Sequence, residues 1–243
     1  MTHRAQKIVD DFGDASLWVP VASGEARLTL TSEPGPLGNA LGMEFDFHGG
    51  GGFVVARREI AMALPESYTF AFHVRGSAPR NTLEFKLVDP TGKNVWRWQE
   101  ENFAFTGEGR VITIRNSQIP FAWGPAGGGT IRNLSAIEFV ISAGSGGKGM
   151  VWIEDFRLED RSNPFPPAIS ASSSASGTAP DHVLAVKEPD VWRSAPDDKQ
   201  PWVQLDFYAP REYGGLIVAW AEEPVTKRYF VEASDDLSAW RLL

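Results

Sequence analysis

From Leu41 to His48 the chain alternates apolar and polar side chains: Leu41, Met43, Phe45 and Phe47 share one side, and Glu44, Asp46 and His48 the other. Residues two apart point the same way only in an extended strand, so this phase demands a sheet with one face buried and one wet. The same period recurs in Ser67–Arg75, where Tyr68, Phe70, Phe72 and Val74 oppose His73 and Arg75. It continues through 82–88, 95–103, 110–115, 136–142 and 150–158, with weaker runs at 7–12, 26–31 and 53–60. Helical periodicity is nearly absent, and 24 glycines and 17 prolines punctuate the short runs. About ten such strands within ~160 residues predict an all-β chain, two antiparallel sheets packed about 10 Å apart as a jelly-roll β-sandwich.

Composition narrows the function. At 42% hydrophobic, 243 residues can bury one large or two medium cores. A formal charge of -8 without a basic run excludes a nucleic-acid partner, because phosphate binding rests on clustered Lys and Arg. The absence of cysteine removes disulfides, thiolate nucleophiles and Cys-ligated zinc. No segment approaches the roughly 20 apolar residues of a membrane span, and the amino terminus has no leader-like apolar run. The four histidines, His3, His48, His73 and His182, form no HExxH pattern and no nucleophile elbow. The runs His48–Gly52 and Ala126–Gly129 lack the helix and Lys of a phosphate loop and read as hairpin connections.

The constellation most suggestive of a ligand is aromatic. Trp96 and Trp98 project from the same side of one strand, and Glu100 and Asn102 continue that side. Indole faces offer apolar area to the C–H faces of a sugar ring, while carboxylates, amides and guanidinium groups bind its hydroxyls. Either this side is exposed as a glycan platform, or both tryptophans are core and Arg97 and Gln99 lie outside. Trp123 stands in a Gly/Pro-rich stretch, where a rim platform and packing under a loop are both open readings. His73, Arg75, Glu84 and Lys86, on the non-core face of neighbouring strands, complete the expected site; a solvated face is the alternative.

A boundary follows Asp160, where 161–167 reads as a linker ahead of a Ser/Ala-rich stretch. From Ala168 the chain resembles the coagulation factor 5/8 type C, or discoidin, domain. The resemblance rests on the Ser-rich start, VWRS at Val191–Ser194, WVQLDF at Trp202–Phe207, GLIVAW at Gly215–Trp220 and YFVEASDDLSAW at Tyr229–Trp240. It implies a second β-sandwich over 168–243, present in part, in a parent gene expected to continue beyond Leu243.

Residues 1–160 resemble the galactose-binding-like jelly rolls of carbohydrate-binding modules and of complex I intermediate-associated proteins. IVDDF at Ile8–Phe12, Trp18, NALGMEFDF, SYTFAFHVRG and GMVWIEDFRLED at Gly149–Asp160 carry the likeness. In such modules a structural calcium ion often ties the first and last strands, which implies Asp11, the Gly38–Ala40 turn and Asp155 here; solvated acids are the alternative. The two resemblances together imply a non-catalytic pair of modules that binds a polysaccharide or oligosaccharide, with a catalytic domain elsewhere in the parent chain. They imply an extracellular or periplasmic setting, with a leader removed; a cytoplasmic one stays open. The complex I likeness implies an alternative, a protein–protein assembly module.

Overall fold

A computed structural model describes residues 6–162, 165–184, 191–208, 215–220 and 228–243. The chain divides into two compact units, Met1–Ser162 and Asn163–Leu243. Among the described residues the regular structure is β-strand apart from short 3-10 turns. No helix there is long and apolar enough to cross a membrane.

The first unit is built from β1 (Gln6–Asp10), β2 (Trp18–Ala22), β3 (Arg27–Gly35), β4 (Gly38–Asp46), β5 (Phe53–Ala63) and β6 (Tyr68–Ser77). It continues with β7 (Asn81–Val88), β8 (Val95–Phe103), β9 (Arg110–Arg115), β10 (Phe121–Trp123), β11 (Asn133–Ser142) and β12 (Lys148–Asp160). Two six-stranded antiparallel sheets result. One runs β3-β4-β12-β6-β9, with β1 pairing β12 beyond the end of β4, and the other runs β10-β8-β7-β11-β5-β2. The ten expected strands are present, and β2 and β10 are additions at the two edges of the second sheet.

The alternating apolar positions meet between the sheets. Phe72 (β6) and Phe156 (β12) from the first sheet face Phe85 (β7) and Phe139 (β11) from the second. Every pair of these four rings has its centroids 4.9 to 6.0 Å apart, within the range in which aromatic rings attract. Leu41, Met43, Phe45 and Phe47 are buried as their spacing requires. At the edge of this core Asp10, itself buried, accepts from the Trp18 indole (2.8 Å) and the Phe12 amide (2.7 Å) and pairs with Arg58. Asp10 belongs to the first sheet and Arg58 to the second, so the pair ties the layers with the buried carboxylate fully satisfied.

In the second unit, β13 (Ala168–Ala171) pairs antiparallel with β14 (Val203–Asp206), and β15 (Glu232–Ala233) pairs with β16 (Arg241–Leu242). The hydroxyls of Ser172 and Ser173 both donate to Asp198 at 2.6 Å and hold its carboxyl below the ordinary value. The Trp192 indole donates to the Ser173 carbonyl and to Ser174 Oγ, both at 3.1 Å. Gly215–Trp220, one of the segments that carry the discoidin resemblance, has no ladder partner among the described residues. Of the expected 161–167 linker, residues 163 and 164 lie outside the described residues.

Phe139→Ala removes a ring that touches Trp18, Phe72, Phe85 and Phe156. The expected loss is about 3–5 kcal/mol of stability in the first unit, read from the midpoint of urea unfolding followed by near-UV dichroism.

Candidate functional site

Because β7, β8, β11 and β5 bury alternate residues, the others stand in rows across the outer face of the second sheet. One row in register is Arg97, Lys86, Glu138, Arg57 and Val19. The next is Gln99, Glu84, Val140, Val55 and Val21, and a third holds Thr82, Ser142 and Phe53. Val140 and Val55 are buried although they face outward, in the row beside the long side chains of Arg97, Lys86, Glu138 and Arg57.

Glu84 lies at the centre of this face and is 5% exposed. Its carboxylate accepts from Ser142 Oγ, from Lys86 Nζ at 3.2 Å and from Arg97 at 3.4 Å. Lys86 Nζ in turn stands 5.3 Å from the centroid of Trp123 and 5.9 Å from that of Phe53, two rings that are 46% and 42% exposed. The Arg97 guanidinium lies 5.8 Å from the same indole. Toward β5, Arg57 bonds Glu138 at 2.6 Å and Glu59 at 2.7 Å. Burial opposes the Arg57 charge, but the hydrogen bonds to Glu59 and Glu138 outweigh it and raise its pKa.

Trp123 is held by its neighbours in sequence and in the sheet. Instead of lying in a loop it ends the edge strand β10, in register with Val95 of β8. Gly124 follows with φ 131, and a Cβ there would fall 2.5 Å from both Asn94 Oδ1 and the Lys93 carbonyl, so the turn admits only glycine. Asn94 Oδ1 accepts from the Ala126 amide at 2.7 Å, and its Nδ2 donates to Asp89 at 2.8 Å. Burial opposes ionisation of Asp89, yet hydrogen bonds from Asn94 and Thr91 win and lower its pKa. That support is therefore present above the ordinary carboxylate range and is lost only as pH falls through the lowered value.

Several expected site residues belong elsewhere. Trp96 is 6% exposed and Trp98 half-buried; both point into the core, and Arg97 and Gln99 take the outer side. The Trp96 indole meets Phe121 edge-on and donates to the Gly129 carbonyl at 2.8 Å, anchoring the segment after Trp123 from beneath. Glu100 pairs with Arg110 of the first sheet, and Asn102 sits at φ 53 beside a register shift, so neither continues a platform. His73 and Arg75 face outward, but from the opposite sheet to Glu84 and Lys86. Arg75 bonds the wholly buried Glu154 at 2.5 Å and lies 4.2 Å over Trp152, whose indole donates to Glu33. His73 is the cross-strand neighbour of Glu154, and its Nδ1 is buried with no partner among the described residues. Trp123, Glu84 and Lys86 do come together. Phe53, Arg57, Arg97, Glu138 and Ser142 join them; the outward phase of Glu138 and Ser142 is legible in AIEFVIS, whereas VWRW leaves that of Arg97 open and nothing in the sequence gives their proximity.

At the expected calcium position the three chain segments are neighbours: Asp10 opposes Phe156 and Ala40 opposes Glu154. Asp11 is exposed and accepts from the Gly13 amide, Gly38 pairs with Gly35 in the β3–β4 turn, and Asp155 bonds Arg157 at 2.5 Å. Among the described residues no three acidic or imidazole groups gather there or elsewhere. Calcium takes six to eight oxygens; Asp155 gives Oδ1 to Arg157, and Asp11, Asp155 and the carbonyls of the Gly38–Ala40 turn are the groups that would hold the ion.

No family model and no curated protein matches the chain. Solved structures do. The family 11 carbohydrate-binding module of the cellulosomal cellulase Lic26A-Cel5E of Clostridium thermocellum aligns over 65% of this chain and 95% of its own, at 16% identity and a TM-score of 0.51. The family 11 module from the same organism in complex with a β-1,3-1,4-mixed-linked tetrasaccharide aligns over 64% and 95%, at 17% identity and 0.51. The solution structure of CtCBM11 aligns over 66% and 98%, at 15% identity and 0.50. At these identities the likeness is one of fold: this chain shares the β-sandwich of those modules.

The hold on Trp123 predicts that Gly124→Ala and Asn94→Ala loosen the segment after it while sparing the core. Exchange of the Ala126 amide should speed up by about tenfold or more, with amides of β7 and β11 unchanged, as read by hydrogen exchange.

Proposed function

We propose that the first unit is a non-catalytic carbohydrate-binding module whose polysaccharide or oligosaccharide ligand lies on the outer face of the second sheet. One observation carries this reading: two exposed rings, Trp123 and Phe53, stand on either side of Lys86 on a face furnished with ion pairs. Rings of this kind stack on the apolar faces of sugars, and Lys86, Arg97, Arg57 and Glu138 offer directed donors and acceptors to hydroxyls. The shared sandwich with a module whose structure holds a mixed-linked tetrasaccharide supports the ligand class. In this reading the second unit is a discoidin-like companion, and the pair serves a larger, exported glycoside-processing protein. A protein-assembly role of the complex I intermediate-associated type is the competing outcome of the same test.

Affinity electrophoresis of the full chain through gels containing soluble polysaccharides tests the reading. Wild type should be retarded by at least one glycan. Trp123→Ala and Phe53→Ala should each weaken that retention about tenfold or more, with an unchanged melting temperature. Trp96→Ala, a core substitution, should lower the melting temperature instead. A wild type retarded by no glycan overturns carbohydrate binding and leaves assembly as the surviving role.

Structural calcium is a separate reading that rests on the proximity of the segments carrying Asp11, Gly38–Ala40 and Asp155. Melts in excess calcium and in chelator decide it. A gain in melting temperature with calcium supports the ion, and superimposable melts overturn it.

A further inference from the structure

The charges on the outer face of the second sheet are divided unevenly. Toward β5, Arg57 is shared by two carboxylates, Glu59 and Glu138, which leaves that side with an excess of negative charge. Toward β10 the balance reverses: Lys86 and Arg97 share the single carboxylate of Glu84. Glu101, the other acid on β8 near this face, is linked to Gln99 at 3.5 Å, and no ion pair joins it to Arg97 among the described residues. Asp89, at the end of β7, has its carboxylate oxygens taken by Thr91, Asn94 and the Asn94 amide.

Depth sharpens the asymmetry. The Glu84 side chain is 6% exposed, against 35% for Arg97, so the anion is sunk beneath the cation it shares. What a ligand meets beside Trp123 is a guanidinium with most of its N–H groups uncommitted; the Lys86 ammonium, its side chain 11% exposed, lies deeper against the same indole. A planar guanidinium fork matches the oxygens of a carboxylate or sulfate better than it matches a single hydroxyl.

Building on the carbohydrate-binding reading, we infer that this face takes an anionic glycan, with an acidic sugar stacked on Trp123, its carboxylate or sulfate on the Arg97 guanidinium, and the Lys86 ammonium supporting that charge from beneath. The neutral rings of the chain then extend toward Phe53 and the Arg57–Glu138 pair. The formal charge of -8 for the whole protein works against non-specific attraction to a polyanion, so retention by one requires a local site.

The test compares one polymer in two charge states: polygalacturonate and its methyl ester, alongside a sulfated galactan and a neutral mixed-linked β-glucan. Gels containing each are run with the full chain at low and high salt. At least one anionic polymer should retard wild type about tenfold more strongly than the neutral ones, and salt should weaken that retention. Arg97→Gln should abolish the preference for the charged form with little change in melting temperature. Lys86→Met combined with Glu84→Gln, which avoids an unpaired buried carboxylate, should do the same. Trp123→Ala should lose retention altogether, which ion exchange at the surface would not. Equal or stronger retention by the ester or the β-glucan overturns the anionic preference while carbohydrate binding stands. Retention by none of the polymers overturns the anionic preference, and carbohydrate binding falls with it where no other glycan retards wild type.

Discussion

Four phenylalanines, Phe72, Phe85, Phe139 and Phe156, hold the two sheets of the first unit face to face, each ring within 6.0 Å of the other three. Phe72 and Phe85 come from consecutive strands, as do Phe139 and Phe156, but β8 to β10 separate the two pairs, so no local segment can bury all four and the sandwich forms as one cooperative event. The period of two then does the rest. Each ring turned inward sends its neighbours outward, and Glu84, Lys86 and Glu138 reach the outer face because Phe85 and Phe139 do not. Core and candidate site are thus two readings of one alternation.

Three carboxylates are buried in this unit, Asp10, Glu84 and Glu154, and each has a cationic partner. A buried charge without partners is costly, and a well-paired one is roughly neutral for stability, so its use must be sought in positioning. Asp10 joins one sheet to the other through Arg58, whose pKa burial lowers. Glu154 locks the β3–β4 turn, taking the Leu37 amide at 3.2 Å on one oxygen and Arg75 on the other. Glu84 fixes Lys86 and Arg97 beside an exposed indole.

Inside and outside were legible in the sequence wherever aromatic and aliphatic residues alternated cleanly, as in Leu41–Phe47, Tyr68–Val74 and Leu83–Leu87. In β8 the pattern failed, because Trp96 and Trp98 are amphipathic enough to suit either side and Arg97 and Gln99 give no contrary signal. Alternation also says nothing about which sheet a strand joins. β6 and β7 follow one another in the chain, yet they lie in opposite layers, which separates His73 and Arg75 from Glu84 and Lys86 by the whole core. The edge strands β2 and β10 are five and three residues long, too short to carry a periodic signal, so Trp123 read as a loop residue.

The two outer faces differ in how fully their polar groups are spent. On the first sheet, Trp152 has Arg75 over its ring and Glu33 on its indole nitrogen, while Arg75 is bound to a carboxylate roofed by the β3–β4 turn. Little there is left for a ligand to complete. On the second sheet, Trp123 and Phe53 expose ring faces, and Lys86 and Arg97 keep donors beyond those given to Glu84. Gly124, Asn94 and Trp96 meanwhile hold the indole in place before anything arrives. A site organised in advance but short of partners gains more from a ligand than a closed cluster does, because little ordering cost remains at the moment of binding. By that measure the outer face of the second sheet is better prepared to receive a ligand than that of the first.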